Sequence, residues 1–147
     1  MGIRINNIIG LLLILMLLGC SGFEHKVIED IKTDISSYDT LIKTINNSDF
    51  SRFSNNQYIS KEYFPKAMKG AINRTVLKNK VEYLIMRKSS DCEQIYIELV
   101  FGRLHLIYKP CPVPEFPKSD SYEEVGLIKK WGINKNWMII ENNDFVF

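Results

Sequence analysis

Glu98 and His105 come nearest, in type and spacing, to a proton-transfer device, because a carboxylate that orients an imidazole is half of many acid-base sites. They fall on either side of Gly102 in a strand-like stretch. A cross-strand charge and hydrogen-bond pair on the wetter face of a hairpin accounts for them without catalysis. The other reactive groups are three cysteines, Cys20, Cys92 and Cys111. No Cys or His set at zinc-site spacing accompanies them, so no metal is expected. His25 sits close behind Cys20, where a ligand role is not expected. Ser89 and Ser90 lie in a polar turn with no G-x-S-x-G around them. No P-loop, dinucleotide fingerprint, H-E-x-x-H or calcium loop occurs, and neither a catalytic residue nor a cofactor is expected. Trp131 and Trp137 flank the last turn, with Tyr122, Phe145 and Phe147 nearby. They could line a ligand or partner patch, or form core.

The front of the chain carries the sharpest pattern. Residues Ile8 to Leu18 are apolar except for Gly10 and follow a short polar stretch with Arg4, Asn6 and Asn7, the layout of a signal peptide. An eleven-residue helix reaches roughly 16 Å against about 30 Å of bilayer hydrocarbon, too short for a comfortable permanent span. The run ends in Leu17, Leu18, Gly19 and Cys20, a tetrad that resembles the bacterial lipobox, although Leu18 is less usual there than Ala or Ser. The resemblance implies diacylglycerol on the Cys20 thiol, cleavage by signal peptidase II between Gly19 and Cys20, and acylation of the new amine. Residues 1–19 are then a lipoprotein signal peptide, and residues 20–147 one periplasmic domain on a short lipid tether. Ser21 after the cysteine, by the same resemblance, favours the outer membrane in a Gram-negative cell. Several acyl chains at about 0.8 kcal/mol per buried methylene make such an anchor durable.

With Cys20 consumed by lipid, Cys92 and Cys111 remain as an even pair in an oxidising compartment, where a disulfide is expected. The 147 residues carry 19 basic and 17 acidic side chains, a formal charge of +2. The two signs alternate along the chain, which does not fit capture of a nucleic-acid backbone.

The mature segment reads as helices followed by strands. From Phe23 to Ile45 apolar residues recur at gaps of three and four, the stripe of one long helix. A second helix is expected from about Lys61 to Leu77, weakened near Pro65 and Gly70. Strands are expected at Val81–Lys88, Gln94–Phe101, Leu104–Lys109, Glu124–Trp131 and Asn136–Glu141, with a surface connection over the proline-rich Pro110–Ser121. The middle pair forms a hairpin. A turn at Phe101 and Gly102 sets Leu99 against Leu104, Glu98 against His105 and Cys92 against Cys111; a turn at Gly102 and Arg103 shifts partners by two and keeps the faces.

This order gives an α+β domain with N-terminal helices on a curved antiparallel sheet of about five strands. Its topology looks like the nuclear-transport-factor or cystatin-like class, an analogy that does not decide function. The expected role is a non-enzymatic binding or interaction module in the cell envelope, held by its lipid and acting through an envelope protein partner. The alternatives are an immunity or inhibitor lipoprotein against a periplasm-acting toxin or hydrolase, and an envelope hydrolase or small-ligand carrier. The last requires a deep pocket where Glu98, His105 or the tryptophans converge.

Overall fold

The computed structural model describes residues 25–88, 95–111 and 118–143. Gly19, Cys20, Ser89, Ser90, Cys92, Phe145 and Phe147 lie outside the described residues, as does 112–117 of the proline-rich connection. The chain divides into two compact units, Met1–Asp34 and Ile35–Phe147.

In the first unit, residues 25–33 are helical (α1) and bury Val27, Ile28 and Ile31, part of the expected apolar stripe. The expected single helix is corrected here, because a turn at Asp34 separates α1 from α2, Ile35–Asn46. The break falls among Thr33, Asp34, Ser36 and Ser37, side chains that compete for backbone hydrogen bonds and favour helix ends. Thr33 donates to the Glu29 carbonyl in this way, at 2.9 Å.

In the second unit α2 buries Tyr38, Leu41, Ile42 and Ile45, which continue the stripe at helical spacing. The segment expected to be helical from Lys61 to Leu77 is shorter and split. A single 3-10 turn covers Lys61–Tyr63, Pro65 caps α3, Lys66–Ile72, and turns follow. Proline suits that entry, where its missing N–H costs no intrahelical bond.

Among the described residues the sheet is antiparallel and has seven strands, not about five, in the order β1-β2-β3-β4-β7-β6-β5. These are β1 (Tyr58–Ser60), β2 (Tyr83–Lys88), β3 (Ile95–Phe101), β4 (Leu104–Tyr108), β5 (Tyr122–Val125), β6 (Ile128–Gly132) and β7 (Trp137–Asn142). One of the added strands, β1, is too short to show a period. The other arises because Glu124–Trp131, expected as one strand, turns back at Gly126 and Leu127 to pair Val125 with Ile128. β5 is an edge strand, and all four of its residues are exposed.

The two tight hairpins share one device. Val125 and Ile128 flank Gly126, and Phe101 and Leu104 flank Gly102; both glycines have φ of 62°. A left-handed first turn residue matches the strand twist, and glycine reaches it without a Cβ clash. No neighbouring atom lies within 4 Å of a Cβ placed on Gly102, so only backbone strain opposes a side chain there. Gly102→Ala is accordingly expected to destabilise the fold by about 1–2 kcal/mol, read by urea denaturation; a neutral result would contradict this turn geometry.

Pairing assigns every strand residue to a face. Leu84, Leu99, Leu106 and Ile139 form a row across four strands, each fully buried. Trp137 lies on this same face, where its ring meets Tyr38 of α2 at 5.8 Å between centroids, so α2 packs against it. Glu141 is also on this face, 4% exposed, with Lys129 at 3.3 Å and Arg103 at 3.9 Å. Two cations at its rim offset the desolvation of that carboxylate.

Candidate functional site

The opposite face holds the groups with chemical potential. The β3-β4 hairpin turns at Gly102 and Arg103, so Glu98 opposes Ile107 and His105 opposes Val100. The direct Glu98–His105 pairing set by the other turn is therefore corrected to a diagonal one. Both side chains keep the same face, since a shift of two preserves the strand period. The diagonal contact is close: the His105 Nδ1–H donates to Glu98 Oε1 at 2.5 Å. From β2, Arg87 reaches the other carboxylate oxygen, Nη2 to Oε2, at 3.1 Å.

This triad is built into the sheet rather than laid on it. Glu98 is 6% and His105 8% exposed, and burial of a carboxylate demands such partners. Ile85 and Ile107 flank Glu98 on the adjoining strands. With one oxygen held by His105 and the other by Arg87, the carboxylate is fixed in place and neutralised. Each oxygen makes one of these contacts, and through Oε1 the carboxylate orients the His105 ring.

Around the triad lies a cavity of about 540 Å³. Its floor includes Ile107, Met138 and Ile140 from β4 and β7, with Ile128 at the β6 end. Arg87, Lys109 and Lys130 also line it. Lys109 is a buried lysine whose Nζ lies 4.6 Å from the centroid of Tyr96, a cation-π contact that lowers the cost of its burial. Lys130 sits on β6 opposite Ile140. Among the described lining residues, these three cations face one carboxylate, Glu98. None of the described lining residues is Ser, Thr or Cys.

The sequence-expected patch of Trp131 and Trp137 takes a different form. Trp137 is 2% exposed and packs between Tyr38 and Tyr108, so it is core and unavailable to a ligand. Trp131 is half-buried on the same helix-bearing face, against Tyr122 at 5.4 Å. Burial also pushes the Tyr108 hydroxyl above its ordinary pKa, with the Asp39 charge adding to the effect. His25 is exposed in α1. Cys111 is disulfide-bonded, and its partner lies outside the described residues.

Arg87, Lys109, Lys130 and Tyr96 were not singled out from the sequence. The first three are separated by long stretches of chain, and only the strand order β2-β3-β4-β7-β6 gathers them. A usable signal did exist: extending the hairpin's face alternation to Val81–Lys88 would have set Arg87 on one of two faces.

No known family, curated protein or solved structure matches the chain. Among the described residues no group of three or more His, Cys, Asp or Glu could hold a metal ion. No described helix is long and apolar enough to cross a membrane.

Proposed function

We propose that the chain is a lipid-anchored bacterial envelope protein that acts as a non-enzymatic binding module, and that it engages its ligand on the sheet face opposite α2. The observation that carries the binding part is the cavity of about 540 Å³ on that face, with its Glu98–His105–Arg87 centre and cationic lining. Small-molecule sites commonly enclose about 300–1,000 Å³, and this depression, which opens to solvent, has a volume in that range. Support for the anchor is the apolar run from Ile8 ending in Leu17, Leu18, Gly19 and Cys20. The likeness to nuclear-transport-factor and cystatin-like folds stays an analogy of element order, helices before an antiparallel sheet.

Two measurements test the reading separately. Mass spectrometry of the membrane-derived protein is expected to find a chain beginning at Cys20 with acyl mass, absent from a Cys20→Ser variant. A chain that keeps Gly19, or starts at Cys20 without acyl mass, overturns the anchor. For the binding face, a photo-crosslinking residue at exposed Tyr58 or at Ile140 is expected to capture envelope material in intact cells. The same residue at exposed Lys43 on α2 is the control. Equal capture from Lys43 overturns the assignment of the face.

The same proposal pairs Cys111 with Cys92. The ladder joins Ile97 to Tyr108 near the hairpin's open end, so both cysteines follow closely beyond it in sequence. Non-reducing peptide mapping is expected to recover a Cys92–Cys111 peptide, and reduction to destabilise the fold by about 3 kcal/mol on the chain-entropy model. A Cys20–Cys111 peptide would refute both this pairing and the lipid on Cys20.

A further inference from the structure

We infer that the free edge of β5 is a docking site for a basic, extended segment of a partner protein, which adds to the sheet as a further antiparallel strand. The inference stands on the strand edge and not on the cavity, so the two readings fail separately.

Register shows which backbone groups the edge presents. The Gly132 N–H donates to the Ser121 carbonyl at 3.0 Å, and Val125 pairs with Ile128 across the turn at Gly126. Backbone groups in an antiparallel pair point alternately toward and away from the neighbouring strand. Glu123 and Val125, in step with Ser121, are therefore directed at β6, and Tyr122 and Glu124 away from it. Among the described residues nothing bonds to the outward N–H and C=O of those two. An unpaired row of that kind is a template for another strand, and strand addition is a general mode of peptide recognition.

Side chains set what the added strand must carry. Two cross-strand rows run out to this edge: Glu141, Lys129 and Glu124 on the helix-bearing face, and Ile140, Lys130 and Glu123 on the other. In both rows a lysine precedes the edge and a carboxylate ends it. Lys129 reaches inward to Glu141 at 3.3 Å, while Glu124 accepts from the Tyr122 hydroxyl at 2.5 Å. The next place in each row lies about 4.8 Å outside β5. A cation there continues the alternation of sign across the strands, and an acid breaks it. Glu123 and Glu124 thus call for two adjacent basic residues.

Apolar surface flanks the two acids. Three of the six large apolar side chains exposed among the described residues, Tyr122, Val125 and Leu127, lie in this one hairpin, so uncovered apolar area concentrates at the edge. An antiparallel strand set opposite Val125, Glu124, Glu123 and Tyr122 in turn reads apolar, basic, basic, apolar. With four residues of β5 to pair, backbone bonds alone give little affinity, and the side-chain match decides which segment is held.

The test uses the full lipidated chain in nanodiscs of zwitterionic lipid, with empty nanodiscs as background. The probe is the capped peptide TVKKVT with a photoreactive diazirine on its first valine, which the register sets opposite Val125. Irradiation and peptide mapping are expected to place the label on the β5-β6 hairpin, with a yield at least about tenfold above that of TVEEVT. Glu123→Lys with Glu124→Lys is expected to reverse the preference, thermal unfolding showing that the variant is folded. N-methylation of the first lysine, whose N–H meets the Glu124 carbonyl, is expected to lower the wild-type yield about tenfold. The same methyl on the second lysine, whose N–H points away, should leave it unchanged. This pair of peptides decides the matter without any variant if the double substitution fails to fold. Equal labelling by TVEEVT overturns the charge match, equal effects of the two methyl groups overturn strand addition, and label placed elsewhere overturns the site. Strongest labelling by SYEEVG, the edge's own sequence, would overturn the basic partner in favour of a second copy of the chain.

Discussion

Trp137→Ala is expected to lower the unfolding free energy by about 3–5 kcal/mol, the largest effect of any single change described. The indole is 2% exposed. It meets Tyr38 edge-on, with centroids 5.8 Å apart and planes at 70°, and Tyr108 at 4.9 Å. Its Nε1–H also donates to Asp39 Oδ1 at 3.4 Å, tying β7 to α2 by a polar contact as well as an apolar one. Domains of this size are stable by about 5–15 kcal/mol in total, so alanine there can leave little native protein. Trp137→Phe is the more measurable variant: it keeps much of the buried area and loses the indole donor, for about 1 kcal/mol from the hydrogen bond plus a packing cost. Urea denaturation of both variants checks the prediction. An alanine cost below about 1 kcal/mol would mean that this ring does not seal the helix-sheet core.

The second large effect concerns Glu98. Glu98→Ala is expected to cost about 1–3 kcal/mol, because His105 is 8% exposed and would lose its acceptor inside the sheet. Arg87 is half-exposed and can return to water, so its loss of partner adds less. In a double-mutant cycle with His105→Ala the two costs should be non-additive by about 0.5–3 kcal/mol. Additive costs would show that the 2.5 Å contact contributes no coupling. The distinction matters for function, since a carboxylate whose removal costs stability is performing a structural task.

Much of the helix-bearing core could be read from spacing. α2 is buried at Tyr38, Leu41, Ile42 and Ile45, because a three-four rhythm allows only one helical face to be apolar, and the separate α1 buries Val27, Ile28 and Ile31. The strands from Tyr83 to Tyr108 were legible for a similar reason, since alternation allows two faces and both were needed. Asp34 was harder: its turn depends on hydrogen-bonding competition that the apolar rhythm runs straight through. The Gly126 turn was missed because Val125, Leu127 and Ile128 are strand formers, and one glycine among them looks like a flaw in a strand. Leu127 is 58% exposed at that tip, a placement that its residue type opposes. The cavity was legible least of all. Glu98 and His105 share one hairpin, and local register could find them, whereas Arg87 and Lys130 lie on strands separated by the order of the sheet.

The margin strand β5 has an implication for how neighbouring copies meet. Its four residues are all exposed, and the run is Tyr122, Glu123, Glu124 and Val125. An open strand margin invites a neighbouring copy to add its own, and tethering to a surface would raise the frequency of such encounters. Two adjacent carboxylates make that lateral stacking repulsive, and the strand at the far margin, β1, offers only three residues to join. If the proposed anchor crowded copies side by side on a bilayer, they would therefore be discouraged from zipping edge to edge into ribbons.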